Sequence, residues 1–136
     1  MTDDQIRSRN RAVIEASMGS VHGADIDGQL GHCTDDYVLE LPYADPPKRI
    51  EGKEVVRAYL AQALGIFKIS LTLNEIYECT DPNRLVLEYT STGSVTTTGK
   101  PYANRYIAVV EFRDGQIALQ REFYNPLVAV RSLSPD

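Results

Sequence analysis

The chain has 136 residues, 43% apolar and 24% charged, with a net charge of −5, which fits one domain (residues 1–136) with a sizeable core. The acidic balance and the lack of any basic run exclude nucleic acid as the main partner, because phosphate binding needs clustered Lys and Arg. No apolar run approaches the roughly 18 residues of a spanning helix, and the polar stretch Met1–Gln5 does not read as a secretory signal, so a cytoplasmic protein without a membrane partner is expected.

Residues 6–18 are predicted to be a helix. Ile6, Val13 and Ser17 share a stripe, with Ile14 and Met18 beside it, and Asp3-Asp4 reads as the N-cap. Residues 24–32 suit a short second helix entered from Ser20. Asp35-Asp36 is a turn signal before a short strand, Tyr37 to Leu41. Pro42, Pro46 and Pro47 then impose a loop, since proline cannot extend a central ladder. Residues 53–67 form a clear helix, with Val55, Val56, Tyr59, Leu60, Ala63, Leu64 and Phe67 repeating at three and four. Four strands follow, over residues 68–79, 84–98, 102–113 and 116–124. Their turns are Asp81-Pro82-Asn83, Gly99-Lys100-Pro101 and Asp114-Gly115, the last a strong two-residue hairpin signal. Residues 126–133 close the chain as a turn of helix. Helices, a short strand, a helix and then a strand meander imply an α+β fold, an antiparallel sheet with helices on one face.

Strand alternation sorts the side chains. Glu122 shares a face with Ala118, Gln120 and Tyr124, while Leu119, Arg121 and Phe123 take the other. In the preceding strand Tyr102, Asn104, Tyr106, Ala108, Val110 and Phe112 share one face. The opposite, half-apolar face carries Ala103, Arg105, Ile107, Val109 and Glu111 and suits a second subunit. A carboxyl group on the inner face is costly to bury ionised, so Glu122 is the candidate acid/base. Tyr59, Tyr102, Tyr106 and Tyr124 are candidate substrate-facing hydroxyls, though tyrosines are also ordinary core residues with a polar tip. Asn104 is either an orienting amide or the partner of a buried polar group. His22, His32 and Cys33 fit no compact metal-ligand spacing, so no metal is expected. Cys33 and Cys79 form no disulfide framework and read as reduced core thiols.

Three segments resemble the nuclear transport factor 2-like superfamily, which includes ketosteroid isomerases and SnoaL-type cyclases, and most of all its phenazine-biosynthesis A/B proteins. They are Arg9-Asn10-Arg11, Ile50-Glu51-Gly52-Lys53-Glu54, and the run from Thr80-Asp81-Pro82-Asn83 through Arg121-Glu122-Phe123-Tyr124-Asn125 to Arg131-Ser132-Leu133. The resemblance implies a cone-shaped half-barrel: a curved, mixed but mostly antiparallel sheet with N-terminal helices packed in its concave face. It implies that Glu122 matches a pocket acid and Tyr102 a pocket tyrosine. The long helix of the phenazine proteins presents a histidine and, a turn later, a serine; Tyr59 and Ala63 stand there. Ketosteroid isomerases place an aspartate before the proline that follows the first strand; Leu41 stands there, lining the pocket without a base. SnoaL cyclases also use an acid late in the sheet.

Two functions compete. One is a cofactor-free lyase, isomerase or cyclase acting on a small, largely apolar carbonyl compound, with Glu122 as acid/base in a pocket of several hundred cubic ångströms. The other is a non-catalytic ligand-binding or structural dimer module whose cone is plugged by Tyr59 and Leu41. Either is expected to be a homodimer through the outer sheet face, and neither needs a cofactor.

Overall fold

The computed structural model describes residues 1–136, apart from side-chain placement at residues 22 and 23. The elements are α1 (Asp3–Gly19), a 3₁₀ turn (Ser20–Gly23), α2 (Ile26–Leu30), β1 (Cys33–Leu41), β2 (Lys48–Glu51), α3 (Lys53–Ile66), β3 (Phe67–Glu78), β4 (Arg84–Val95), β5 (Pro101–Arg113), β6 (Gln116–Tyr124) and α4 (Pro126–Leu133). The six strands form one sheet in the order β2-β1-β6-β5-β4-β3. Only the β1–β6 pairing is parallel. This is the expected α+β fold with a curved mixed sheet and helices on one face.

Three local expectations are corrected. Asp35-Asp36 is not a turn: both lie inside β1, where the register shifts between Cys33 and Val38. The N-cap of α1 is Thr2 rather than Asp3-Asp4. Thr2 Oγ1 accepts from the Gln5 amide at 3.1 Å, and Gln5 Oε1 accepts from the Thr2 amide at 2.9 Å. Such a capping box stabilises a helix end by about 1 kcal/mol, and the two aspartates in the first turn face the positive end of the dipole. The proline loop leads into a strand that periodicity did not reveal. The tetrad Lys48–Glu51 is too short to show a period, yet Ile50 pairs with Leu39 at the sheet edge.

Antiparallel register builds the concave face from matched rows. Leu85, Leu87, Tyr89 and Ser91 of β4 stand opposite Val110, Ala108, Tyr106 and Asn104 of β5. Ala108 and Tyr106 stand in turn opposite Glu122 and Tyr124 of β6. All eight of those β4 and β5 residues are buried. Register shifts in β3 between Leu73 and Glu75, and in β6 beside Ala118, change the parity of alternation. The second corrects the expected face: Ile117, not Ala118, is fully buried with Phe112. A bulge of this kind lets both ends of a strand keep their apolar residues inward.

The helices close the cone. Ile14 and Met18 of α1, Leu30 of α2 and Val56 of α3 join the core cluster. Polar contacts hold α1 across the hairpin turns. Asn10, fully buried, donates through Nδ2 to Pro82 O at 3.1 Å and Asn83 Oδ1 at 3.2 Å. Arg7 donates to Cys79 O and Thr80 O, each at 3.1 Å. Arg9 lies over the next turn, within 3.0 Å of where a Cβ on Gly115 would stand. Two of the segments that carry the family resemblance therefore touch: the Arg-Asn-Arg run of the first helix clamps the Asp-Pro-Asn turn.

The tightest backbone approach is at Gly93, where an added Cβ would stand 1.9 Å from Lys68 O. Overpacking of this kind costs about 1–3 kcal/mol or more. Gly65 in α3 has nothing within 4 Å, and alanine is the better helix former there by up to about 1 kcal/mol. Urea unfolding is expected to show Gly93→Ala destabilised by at least about 1 kcal/mol and Gly65→Ala neutral or stabilised; equal effects would contradict the close approach.

Candidate active site

The cone encloses a cavity of about 180 Å³. Its floor is the concave face of the sheet, with Tyr89, Tyr102, Tyr106, Gln120, Glu122 and Tyr124. Leu39 and Leu41 of β1 and Leu60, Ala63 and Leu64 of α3 wall it, and Ser17, Met18 and Gln29 of the N-terminal helices roof it. The volume is smaller than the several hundred cubic ångströms expected, and Met18, Leu60 and Phe67 are among the bulky side chains that line it.

Six of the seven residues singled out by sequence line this cavity: Leu41, Tyr59, Tyr102, Tyr106, Glu122 and Tyr124. Asn104 does not. It is buried behind the wall, donating to Tyr102 OH at 2.9 Å and to Asn125 O at 3.0 Å, while its Oδ1 accepts from the Arg105 amide at 2.9 Å. It satisfies a buried network and orients Tyr102 without facing the cavity. Tyr102 OH lies 3.3 Å from Tyr106 OH, which lies 2.8 Å from Ser91 Oγ. Phe67 meets the Tyr102 ring edge-on at 4.9 Å.

Glu122 keeps different company. Its Oε1 accepts from the Tyr89 hydroxyl, and Gln120 Nε2 donates to Tyr89 OH at 3.4 Å. The Tyr89 ring stacks on Tyr106 at 4.8 Å with 9° between planes, which ties the carboxyl cluster to the Tyr102–Tyr106–Ser91 chain. Glu122 has partial surface exposure because it lines the cavity, but its carboxyl is surrounded by protein. Burial raises its pKa above the ordinary carboxylate value, and the Tyr89 hydrogen bond offsets part of that rise. Among the described residues no cation contributes to the balance. The tyrosines respond in the same direction. Burial lifts Tyr59 to about 12, and raises Tyr89, Tyr106 and Tyr124 as well, with Glu122 adding repulsion against their ionised forms. The phenols stay protonated at neutral pH and act as hydrogen-bond donors.

Sequence reasoning missed Tyr89. Its signal was present in the alternation of Leu85, Leu87 and Tyr89, but only the register of β4 on β5 brings it beside Glu122. Gln120 was placed on the correct face without a role. Of the roof residues, Ser17 was placed on the inward stripe of α1 without a role, and Gln29 depends on helix packing and left no sequence signal. Cys33 is buried, and desolvation holds its thiol at about 12, so it is a core group rather than a nucleophile. Among the described residues no group of three His, Cys, Asp or Glu side chains could hold a metal ion; the His22 side chain lies outside them. Among the described residues no helix is long and apolar enough to cross a membrane.

Residues 11–120 match the SnoaL-like domain family. Over 94 residues the chain is 42% identical to the uncharacterised protein YesE of Bacillus subtilis, a match that spans 67% of this chain and 64% of that protein, just under two thirds of its length. It is 32% identical over 125 residues to an uncharacterised PhzA/B-like protein of Pseudomonas aeruginosa, covering 90% of this chain and 89% of the other. The crystal structure of a candidate isomerase from Bacillus subtilis superposes with a TM-score of 0.87 at 30% identity over 99% of both chains. This chain belongs to the SnoaL-like family and carries its nuclear transport factor 2-like fold.

Proposed function

We propose that this protein binds a small carbonyl compound in the cone and catalyses cofactor-free proton transfer on it, with Glu122 as the acid/base. The observation that carries this reading is a carboxyl group in a largely apolar cavity with one phenol as its partner and, among the described residues, no cation that offsets the effect of burial. Perturbed carboxyls in clefts are the usual acids and bases of such reactions. In the protonated form Glu122 gives a proton to a carbonyl or imine; ionised, it takes one from carbon beside a carbonyl. Tyr102, whose oxygen accepts from Asn104, can direct its own proton at a substrate oxygen when Tyr106 is the donor in their 3.3 Å contact, as an oxyanion donor does. The unfilled cone supports this reading over a plugged structural module.

The same reading includes a homodimer. The convex face exposes Ile107 at 47% and Tyr77 at 48%, with Tyr43 against Phe123, and a shallow concavity there is lined by Tyr43, Glu88, Arg105, Ile107 and Phe123. Apolar exposure of this kind marks interfaces.

Four measurements bear on these statements. Glu122→Gln is expected to abolish turnover of any substrate found; normal turnover would remove Glu122 from the mechanism. The same variant should report on burial. A raised folded-state pKa favours the neutral acid. Wild type therefore carries no penalty below the ordinary carboxylate pKa of about 4 and loses stability as pH rises through the higher folded value. The Tm of Glu122→Gln should equal that of wild type near that pH and exceed it at neutral pH. Tyr89→Phe removes the interaction that lowers the Glu122 pKa, so carboxyl titration followed by ¹³C NMR should move upward, and an acid-dependent activity should persist to higher pH. Light scattering should return about twice the 15.2 kDa chain mass, and Ile107→Glu should return the single-chain mass.

A further inference from the structure

The Asn104 side chain has one fixed orientation. Its Oδ1 accepts from the Arg105 amide at 2.9 Å and from the Asn125 amide at 3.3 Å. Its Nδ2 is therefore the end that donates, to Asn125 O at 3.0 Å and to the Tyr102 oxygen at 2.9 Å. Beyond it lie three hydroxyls in a row, Tyr102, Tyr106 and Ser91, with contacts of 3.3 Å and 2.8 Å. Each contact uses one proton, and each hydroxyl brings one. One proton is left over, and the donating amide of Asn104 has no place for it. Burial decides where it sits. Ser91 is 2% exposed, does not line the cavity and has no other hydrogen-bond partner among the described residues. A donor stranded there is unfavourable. Tyr102 and Tyr106 both line the cavity, so the spare proton belongs on one of these two phenols, where a ligand can take it. Tyr89 shows the other outcome. Gln120 donates to its oxygen at 3.4 Å, and its proton goes to Glu122. Tyr102 likewise has an amide donating to its oxygen, but no carboxyl among its partners within the described residues.

Volume limits what can arrive. A cavity of about 150 Å³ accommodates benzene, so about 180 Å³ accommodates one ring with small substituents. We infer that Asn104 is a positioning residue that sets specificity: by donating to Tyr102 it makes the Tyr102–Tyr106 pair a net donor, so that the cavity selects a single-ring ligand with a hydrogen-bond acceptor at that end. An acceptor in place of the Asn104 amide would draw the Tyr102 proton and leave the pair with none to spare. This rests on the carbonyl reading above for the kind of acceptor, while the role of Asn104 is tested by binding alone.

The test is calorimetric titration of wild type, Tyr102→Phe, Asn104→Asp and the double variant with benzaldehyde and styrene, which share a shape and differ in the acceptor oxygen. Asn104→Asp keeps the side-chain shape and replaces the donor by an acceptor. The free ligands are the same throughout, so their hydration cancels in the comparison. The benzaldehyde-to-styrene affinity ratio is expected to fall about fivefold or more in each single variant and no further in the double variant, with styrene affinity within about threefold of wild type in all. A purely structural role for Asn104 would weaken both ligands alike or add to the Tyr102→Phe loss. If the aspartate variant fails to fold, wild type gives the answer. The ¹⁵N-labelled Asn104 side-chain amide should shift further with benzaldehyde than with styrene, because a phenol that donates is a stronger acceptor. A ratio that survives in Asn104→Asp, additive losses, an amide that responds equally to both ligands, or no binding by either would each overturn the inference. The two proposals fail separately. Normal turnover by Glu122→Gln with the benzaldehyde preference intact removes the acid and leaves Asn104. A ratio unchanged in Asn104→Asp removes Asn104 whatever Glu122 does.

Discussion

The hydrogen bond between Tyr89 and Glu122 is the interaction on which the cone depends. A carboxyl in a low-dielectric site needs a partner, or it must stay neutral. Here the partner is a phenol rather than a guanidinium, so the charge is not cancelled. The carboxyl is held in position and its pKa stays raised. An arginine in place of Tyr89 would make an ion pair and lower that pKa, leaving a fixed anion unable to donate. The choice of a weak, neutral donor keeps both protonation states within reach.

Everything that positions that bond is long-range. Tyr89 and Glu122 lie on strands that do not pair with each other; β5 stands between them. Small Ala108, directly opposite both Leu87 and Glu122, leaves space across the middle strand for the Tyr89 ring to lie on Tyr106 and reach the carboxyl. The clamp of Arg7, Asn10 and Arg9 on the hairpin turns sets where α1 crosses the sheet, and so sets the roof. The geometry of the cavity in this fold is therefore a property of register and of helix placement together.

Much of the architecture was legible in the residues. Alternation in β5 sorted Tyr102, Tyr106 and Phe112 from Arg105 and Glu111, and Asp114-Gly115 announced its hairpin. What stayed hidden has physical reasons. A bulge beside Ala118 changes parity within a strand and has no compositional mark. β2 is four residues of Lys-Arg-Ile-Glu and exists because an edge of β1 is available to pair. Asp35-Asp36 looks like a turn by propensity, but pairing with β6 on either side, at Cys33 and from Val38 onward, keeps β1 extended through it. At the site, Glu122 stood out because a lone carboxylate among apolar and aromatic neighbours breaks the pattern of its face. Tyr89 did not, because a tyrosine at a buried strand position breaks nothing. Asn104 shares the Tyr102 face, and only the burial of its amide behind the ring separates an orienting group from a lining one.

The arrangement of aromatic residues has an optical consequence. The chain contains no tryptophan and eight tyrosines, and five of them, Tyr59, Tyr89, Tyr102, Tyr106 and Tyr124, line the cavity. With no indole to collect excitation energy, emission near 300 nm arises from the phenols themselves, as tyrosine fluorescence does in general. Most of the chromophores of this protein therefore surround its cavity, and one of them hydrogen-bonds to a carboxyl whose ionisation quenches phenol emission. The ultraviolet spectrum of the untagged chain is in effect a spectrum of the pocket wall, sensitive to what enters it and to the charge on Glu122.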